Sequence, residues 1–283
     1  MRTPAHLETL QISKSKVLLR WAGSKRKLLP ILATYRPEGE FRYVEPFAGS
    51  AALFFHLQPP SALLADTNSE LISTYRTVKH SPLKTAQALS RMPEGDANYY
   101  YRLRKQSATG GSAARNAARF IYLNRYCFNG LYRTNLSGRF NVPYGGSRSG
   151  RLPDAEVLRS AAKGLRAATL ITADFRHTLS LVREGDFVYL DPPYWVPERR
   201  VFREYSKNVF DAEAVDALAE GLERLEKLRI PFVLSYADSS TGAALGRFRR
   251  SKRVLVQRQI AGFSNSRRFA AELIITPLYV NAP

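Results

Sequence analysis

The stretch that most constrains the fold is residues 188–195, Val-Tyr-Leu-Asp-Pro-Pro-Tyr-Trp. An apolar run of strand length ends on a carboxylate, Asp191, and Pro192 and Pro193 then stop it. Proline fixes φ and carries no N–H, so neither residue extends a ladder. In open α/β sheets ligands bind outside the carboxyl ends of the strands, which is where Asp191 falls. The rigid backbone offers carbonyl acceptors, and Tyr194 follows with a flat ring. Acceptors beside a stacking face suit a planar base with an exocyclic amino group. A strand ending in an Asp-Pro turn is also common with no ligand at all, so these residues alone do not name one.

The rest of the chain supplies a sheet for this strand to join. Residues 42–45 read as a strand, 47–51 as a tight turn of small residues, and the next segment as a helix. A second strand, 61–66, ends on Asp66, 17 residues after Gly49. Residues 69–107 are helical in pattern and broken at Pro82 and Pro93, and 112–126 form one more helix. Residues 128–146 mix aromatics, arginines, Gly and Asn, which predicts a hairpin or extended loop. The strand and helix alternation resumes at Asp154, with strands at 168–172, 188–191 and 231–236 and helices between them. Two last strands, near Val254 and Ile274, look adjacent and antiparallel. Seven strands with helices early and strand pairing late predict an α/β fold, mostly parallel with an antiparallel edge. Residues 1–16 read as a flexible leader, 17–69 and 154–283 as the catalytic unit, and 70–153 as an insertion.

Charge bears on the partner. The net charge is +19 over 283 residues, and the cations are segregated. No Asp or Glu occurs in 9–37, 97–153 or 239–271, and the middle stretch holds ten cations. Acid-free segments interleaved with Tyr, Phe and Asn read as a polyanion-binding surface. A merely solubilising face would mix both signs. The single Cys127 excludes an internal disulfide framework and a cysteine zinc site. No apolar run approaches the roughly 18 residues of a membrane span. The expectation is a cytoplasmic protein that binds a polyanion, monomeric in solution.

Three carboxylates, Asp66, Asp174 and Asp191, end separate strands and fall on one edge of the sheet. The turn of Gly49, Ser50 and Ala51 lets the backbone approach a ligand there. An acid at the tip of the second strand is placed to bind ribose hydroxyls, although Asp66 could instead cap the helix near Ser69. The four histidines have no metal-ligand spacing, and no His accompanies a Ser or Cys nucleophile, so no metal is expected. What fits is group transfer from a cofactor that brings its own reactivity, such as S-adenosylmethionine. The Asp191 carboxylate and the Pro192 carbonyl would then accept both hydrogens of an adenine amine, with Tyr194 stacked on the base. A duplex base must be flipped out to reach such a pocket.

With these residues in place the sequence resembles the Dam-like, D12 class (alpha-group) DNA adenine N6-methyltransferases. The resemblance rests on residues 21–25 (Trp-Ala-Gly-Ser-Lys), 45–50 (Glu-Pro-Phe-Ala-Gly-Ser), 65–68 (Ala-Asp-Thr-Asn), 122–125 (Tyr-Leu-Asn-Arg), 128–130 (Phe-Asn-Gly), 140–143 (Phe-Asn-Val-Pro) and 191–194 (Asp-Pro-Pro-Tyr), in that order. It spans about residues 17–280 and implies a Rossmann-like, S-adenosylmethionine-dependent methyltransferase sheet with an inserted helical and hairpin target-recognition domain. It implies cofactor contacts from Trp21, Lys25, Phe47, Gly49, Asp66, Asp174, Phe175 and Asp191. It implies catalysis by Asp191, Pro192, Pro193 and Tyr194. It implies contacts to double-stranded DNA from Arg20, Phe128, Asn129, Leu131, Arg133 and Pro143. Phe128 matches an aromatic that stacks into the duplex where adenine leaves. Leu131, Arg133 and Pro143 match residues that touch base edges in members reading GATC, and Arg20 matches a lysine that reads the outer guanine. The match departs from those members at Gly146 and Ser147, where they carry a basic residue and an aromatic, so GATC or a related short site is the expectation. The alternatives are an RNA adenine or protein-amide methyltransferase, and a DNA-binding relative without catalysis. The protein-amide class usually carries Asn where this chain has Asp191.

Overall fold

The computed structural model describes residues 18–106, 110–195, 210–259 and 267–280, the side chains of 256–259 and 267–270 excepted. The expected leader and most of the loop after Trp195 lie outside the described residues.

A single seven-stranded sheet organises the described chain. Its strands are β1 (Arg42–Glu45), β2 (Ser61–Asp66), β3 (Ala168–Thr172), β4 (Asp186–Leu190), β5 (Phe232–Ala237), β6 (Arg250–Gln259) and β7 (Arg267–Thr276). The spatial order is β3-β2-β1-β4-β5-β7-β6. β1 to β5 pair in parallel, and β7 runs antiparallel to both neighbours. This is the mostly parallel α/β sheet with an antiparallel edge that the sequence predicts. The order reverses between β1 and β4, which makes their carboxyl ends a topological switch point.

The central strands are apolar on both faces because both faces are covered. In β4, Phe187 and Tyr189 join one core while Val188 and Leu190 join the other. In β5, Val233 faces the first core and Phe232 and Leu234 the second. The first core is completed by α3 (Ser69–His80) and α7 (Ala155–Leu165) through Leu71, Ile72, Tyr75 and Leu158. The second is completed by α8 (Phe175–Ser180) and α9 (Ala212–Lys227) through Leu179, Leu218 and Leu222. Each such side chain, fully buried, contributes about 1.5–3 kcal/mol of transfer free energy.

Local sequence sets where the helices start. Asn68, Asp154 and Asp211 cap α3, α7 and α9, accepting the N–H of Leu71, Val157 and Ala214 at 3.1, 2.9 and 3.0 Å. Asp66 is therefore not the cap of α3. Arg76 and Lys79 of α3 donate to the carbonyls of Leu170 and Ala168, which ties this helix to β3. Helix α4 (Pro82–Ser90) begins on its proline, and α5 (Ala97–Lys105) and α6 (Ala113–Tyr126) follow. The segment 127–146 forms a 3-10 turn at Phe128–Gly130 and two isolated bridges, Cys127 to Tyr144 and Thr134 to Phe140. Arg42 closes the amino end of β1 onto β4 with a two-pronged bond to buried Asp186, at 2.8 and 2.7 Å. The remaining helices, α1 (Leu29–Ala33), α2 (Ala52–Leu57) and α10 (Ser240–Leu245), are short.

Candidate active site

At the switch point lies one cleft of about 1000 Å³. The loops after β1, β2, β3 and β4 form its floor, and residues 131–134 with Gly138 form the opposite rim. All the residues expected to hold a cofactor line it: Trp21, Lys25, Phe47, Gly49, Asp66, Asp174, Phe175 and Asp191. Pro192, Pro193 and Tyr194 line it too, as do Leu131 and Arg133. Arg20, Phe128, Asn129 and Pro143 do not.

The turn after β1 is shaped by close approach. Gly49 has φ +45°, and a Cβ there would sit 2.9 Å from Cδ1 and Nε1 of Trp21. Only glycine meets both demands without strain. Asp66 reaches across from β2 and accepts the N–H of Gly49 at 3.0 Å and of Asn68 at 2.9 Å. Burial raises its carboxyl above the usual carboxylate value, and these two bonds oppose the rise. The phenol of Tyr75 donates to the Gly49 carbonyl at 2.7 Å from beneath. Phe47 stacks on Phe175 with centroids 5.2 Å apart, and Phe210 closes on both rings. Phe175 is consequently buried under its neighbours. Asp174 caps α8 by accepting the Arg176 N–H and stays half-exposed at the rim.

Asp191 stands at the centre. Its Oδ1 accepts from Lys25 Nζ at 2.7 Å and from Ser235 Oγ at 3.0 Å. Among the described residues nothing bonds Oδ2, so that oxygen is left to the cleft. Burial holds the carboxyl above the usual carboxylate value; Lys25 and Ser235 oppose the rise and the Glu272 charge adds to it. The Lys25 ammonium is itself buried; burial disfavours its charge, but Asp191, Tyr194 and Glu272 raise it overall. It also donates to the Gly23 carbonyl at 3.0 Å, lies 3.9 Å from Glu272, and sits over the Tyr194 ring at 5.2 Å. Burial pushes the Tyr194 phenol up to about 12. Trp195, which had no role in the sequence, gives its backbone N–H to the Tyr236 hydroxyl.

The rim segment is gathered by backbone bonds. Phe128 N–H donates to the Pro143 carbonyl at 2.9 Å, and Ala22 N–H to the Gly130 carbonyl at 3.1 Å. Gly130 has φ +65°, and a Cβ there would press on Arg20 at 3.0 Å, so the Phe-Asn-Gly turn packs on residues 20–22. Asn129 occupies the left-handed region within that turn. Phe128 packs half-buried against the core. Arg20 donates its guanidinium to the Arg125 carbonyl at 3.1 Å. Arg133 donates Nε to Asn141 at 2.8 Å, and Leu131 and Pro143 are exposed. Tyr132, between Leu131 and Arg133, stacks on Trp21 at 5.9 Å and 12°, which joins the two sides of the cleft.

Several residues of the site went unread in the sequence. Glu45 and Glu272 are each 2% exposed, and Ser235 is wholly buried. Charged residues are almost never buried unless paired, so an acid inside an apolar strand was a usable signal. Phe210 and Tyr132 carried none beyond their type. Among the described residues no group of three His, Cys, Asp or Glu could hold a metal, and no helix is long and apolar enough to cross a membrane.

With this geometry described, comparison with known proteins gives the following. The family model described as D12 class N6 adenine-specific DNA methyltransferase matches residues 21–258. A Type II methyltransferase, M1.LlaDCHI of Lactococcus lactis subsp. cremoris, is 34% identical over 278 residues, 94% of this chain and 98% of that protein. The DNA adenine methylase of Salmonella typhi is 34% identical over 267 residues, 93% of this chain and 95% of that one. The Retron Ec67 DNA adenine methylase of Escherichia coli is 33% identical over 261 residues, 91% and 90% of the two chains.

Proposed function

The chain belongs to the D12 class N6 adenine-specific DNA methyltransferases, and from that premise we propose that it moves the methyl group of S-adenosylmethionine to the 6-amino group of an adenine flipped out of duplex DNA, within GATC or a related short site. The observation that carries the reading is the Asp191 carboxylate, with Oδ1 saturated by Lys25 and Ser235 and Oδ2 left to a cleft wide enough for two ligands. S-adenosylmethionine supplies an electrophilic methyl on a sulfonium, so a site for it needs negative charge, ring faces and backbone approach. The residues fit. Asp66, Asp174 and Asp191 bring carboxylates, Phe47, Phe175 and Trp21 bring rings, and Gly49 the approach, with Lys25 joining them. Ligand sites usually run from about 300 to 1,000 Å³, so this cleft has room for a nucleoside cofactor and a base together.

The adenine amine is a weak nucleophile because its lone pair is delocalised into the ring. Asp191 Oδ2 and the Pro192 carbonyl accept its two hydrogens and hold the nitrogen in line, while Pro193 stiffens the turn and Tyr194 stacks on the base. The gain comes from orientation and charge placement. Unstacking the base costs a few kcal/mol, which DNA contacts offset. Segment 70–153 is the target-recognition insertion. Leu131, Arg133 and Pro143 read base edges, Arg pairing with guanine and the apolar pair with thymine methyl. Phe128 stacks into the duplex where the adenine leaves, Asn129 of the same turn contacts the DNA, and Arg20 reads the outer guanine.

The test is labelled methyl transfer from S-adenosylmethionine to duplex DNA, RNA and protein, followed by sequencing of modified bases in the DNA. Labelling of adenine in duplex DNA at one short site is expected. Labelling of RNA alone, or of protein alone, would end this reading.

A further inference from the structure

Lys25 and Asp191 lie 166 residues apart in sequence, and two side chains outside every motif of the sequence stand beside their contact. Ser235 lies in β5, directly beside β4, and its hydroxyl reaches Asp191 Oδ1 at 3.0 Å and the Tyr189 hydroxyl at 3.2 Å. Glu272 lies in β7, opposite Ala237 of β5 and Val254 of β6, and its carboxylate stands 3.9 Å from Lys25 Nζ. Both are buried in the sheet. A lysine ammonium has three donors and a compact charge that turns toward whichever acceptor is nearest. Here it reaches Asp191 at Oδ1 alone, donates as well to the Gly23 carbonyl at 3.0 Å, and has the Glu272 carboxylate beside it at 3.9 Å.

We propose that Ser235 and Glu272 are positioning residues for Asp191, Ser235 by donating into Oδ1 and Glu272 by retaining the Lys25 ammonium there, so that Oδ2 alone is offered to the substrate amine. This rests on the reading of Asp191 as the amine acceptor. The groups that face Asp191 are Lys25, Tyr43 and Glu45 of β1, Tyr189, Tyr194 and Glu272. Of the two positioning residues, the Glu272 charge raises the Asp191 carboxyl and the Ser235 bond lowers it. Transfer requires the ionised carboxylate, so each residue moves the acid limb of the rate profile in its own direction.

The experiment is single-turnover methyl transfer to saturating duplex DNA between pH 5 and 9, for the full chain and for Glu272→Gln, Ser235→Ala and Ser235→Thr. Both Gln and Ala variants lose rate, up to about a hundredfold, since small misplacements of an acceptor cost that much. Glu272→Gln moves the acid limb to lower pH and Ser235→Ala moves it to higher pH, while Ser235→Thr, which keeps the hydroxyl, restores it. Merely structural damage would not shift the two limbs in opposite directions. Any pattern other than opposed shifts overturns the proposal. Should Glu272→Gln not fold, Ser235→Ala decides alone: an upward shift supports the proposal and any other result overturns it. Asp191→Ala in parallel separates the layers, because full turnover there would remove the acceptor reading itself.

Discussion

The floor of the cleft, built by the loops after β1, β2, β3 and β4, is largely buried, rich in carboxylates and cross-bonded by side chains. The facing rim, residues 127–150, holds no carboxylate and three arginines, Arg133, Arg139 and Arg148. On the floor, Asp66 fixes the Gly49 turn, and Lys25 and Ser235 fix Asp191. On the rim the fixing is done by backbone bonds, by the Asn135 and Asn141 side chains, which accept from Arg139 N–H and Arg133 Nε, and by tyrosines that donate to backbone carbonyls. Tyr100 bonds the Val142 carbonyl at 2.9 Å and Tyr144 the Gly95 carbonyl at 2.6 Å. Leu136 at the rim's tip is 64% exposed, whereas Lys25 on the floor is 7% exposed. The difference teaches a division of labour. Buried charge can be aimed accurately because each partner is costly to lose. Exposed charge on a pinned backbone can meet a polyanion without first being desolvated.

That division is open to test, with the largest effect on the floor. Asp191→Ala is expected to lower methyl transfer by about a thousandfold or more while duplex affinity stays within about twofold, read by labelled transfer and by titration of DNA. Retained turnover would break the comparison at its centre. Gly49→Ala places a methyl where Trp21 stands and strains a left-handed turn, at about 1–3 kcal/mol. It should weaken S-adenosylmethionine binding by calorimetry about 5- to 150-fold and leave DNA affinity alone. On the rim, Arg133→Ala should cost about 1–3 kcal/mol of discrimination between the best site and a single-base variant, with the turnover of saturated DNA preserved. The smallest effect is for Arg139→Ala, which should weaken binding similarly for all sequences and reduce the slope of log affinity against log salt by about one. An Arg139 variant that changed sequence preference instead would place base reading further along the rim than Arg133.

The legibility of the two regions also differs. The seven strands, the breaks at Pro82 and Pro93 and the caps at Asn68, Asp154 and Asp211 follow from periods and local bonds that short stretches carry. The rim was readable as aromatic, basic and turn-rich, but its two isolated bridges and the tyrosine bonds that tie it to residues 95–100 were not. On the floor, the carboxylates at strand ends could be counted, while the partners of Asp191 could not. Ser235 lies 44 residues away and Lys25 166 residues away, and neither spacing leaves a mark in local sequence.

By itself the sequence determined a mostly parallel sheet with an antiparallel edge, the carboxylate and prolines at the end of its fourth strand, and an acid-free segment suited to a polyanion. Those rest on side-chain period, proline chemistry and charge, which are properties of short stretches. Only the tertiary structure decided that Asp66 holds Gly49, that Phe210 closes on Phe47 and Phe175, and that Glu272 from an antiparallel strand stands beside Lys25. The reason is that strand order, not strand sequence, sets which side chains share an edge. Here the reversal between β1 and β4 brings the chain's early lysine to its late aspartate.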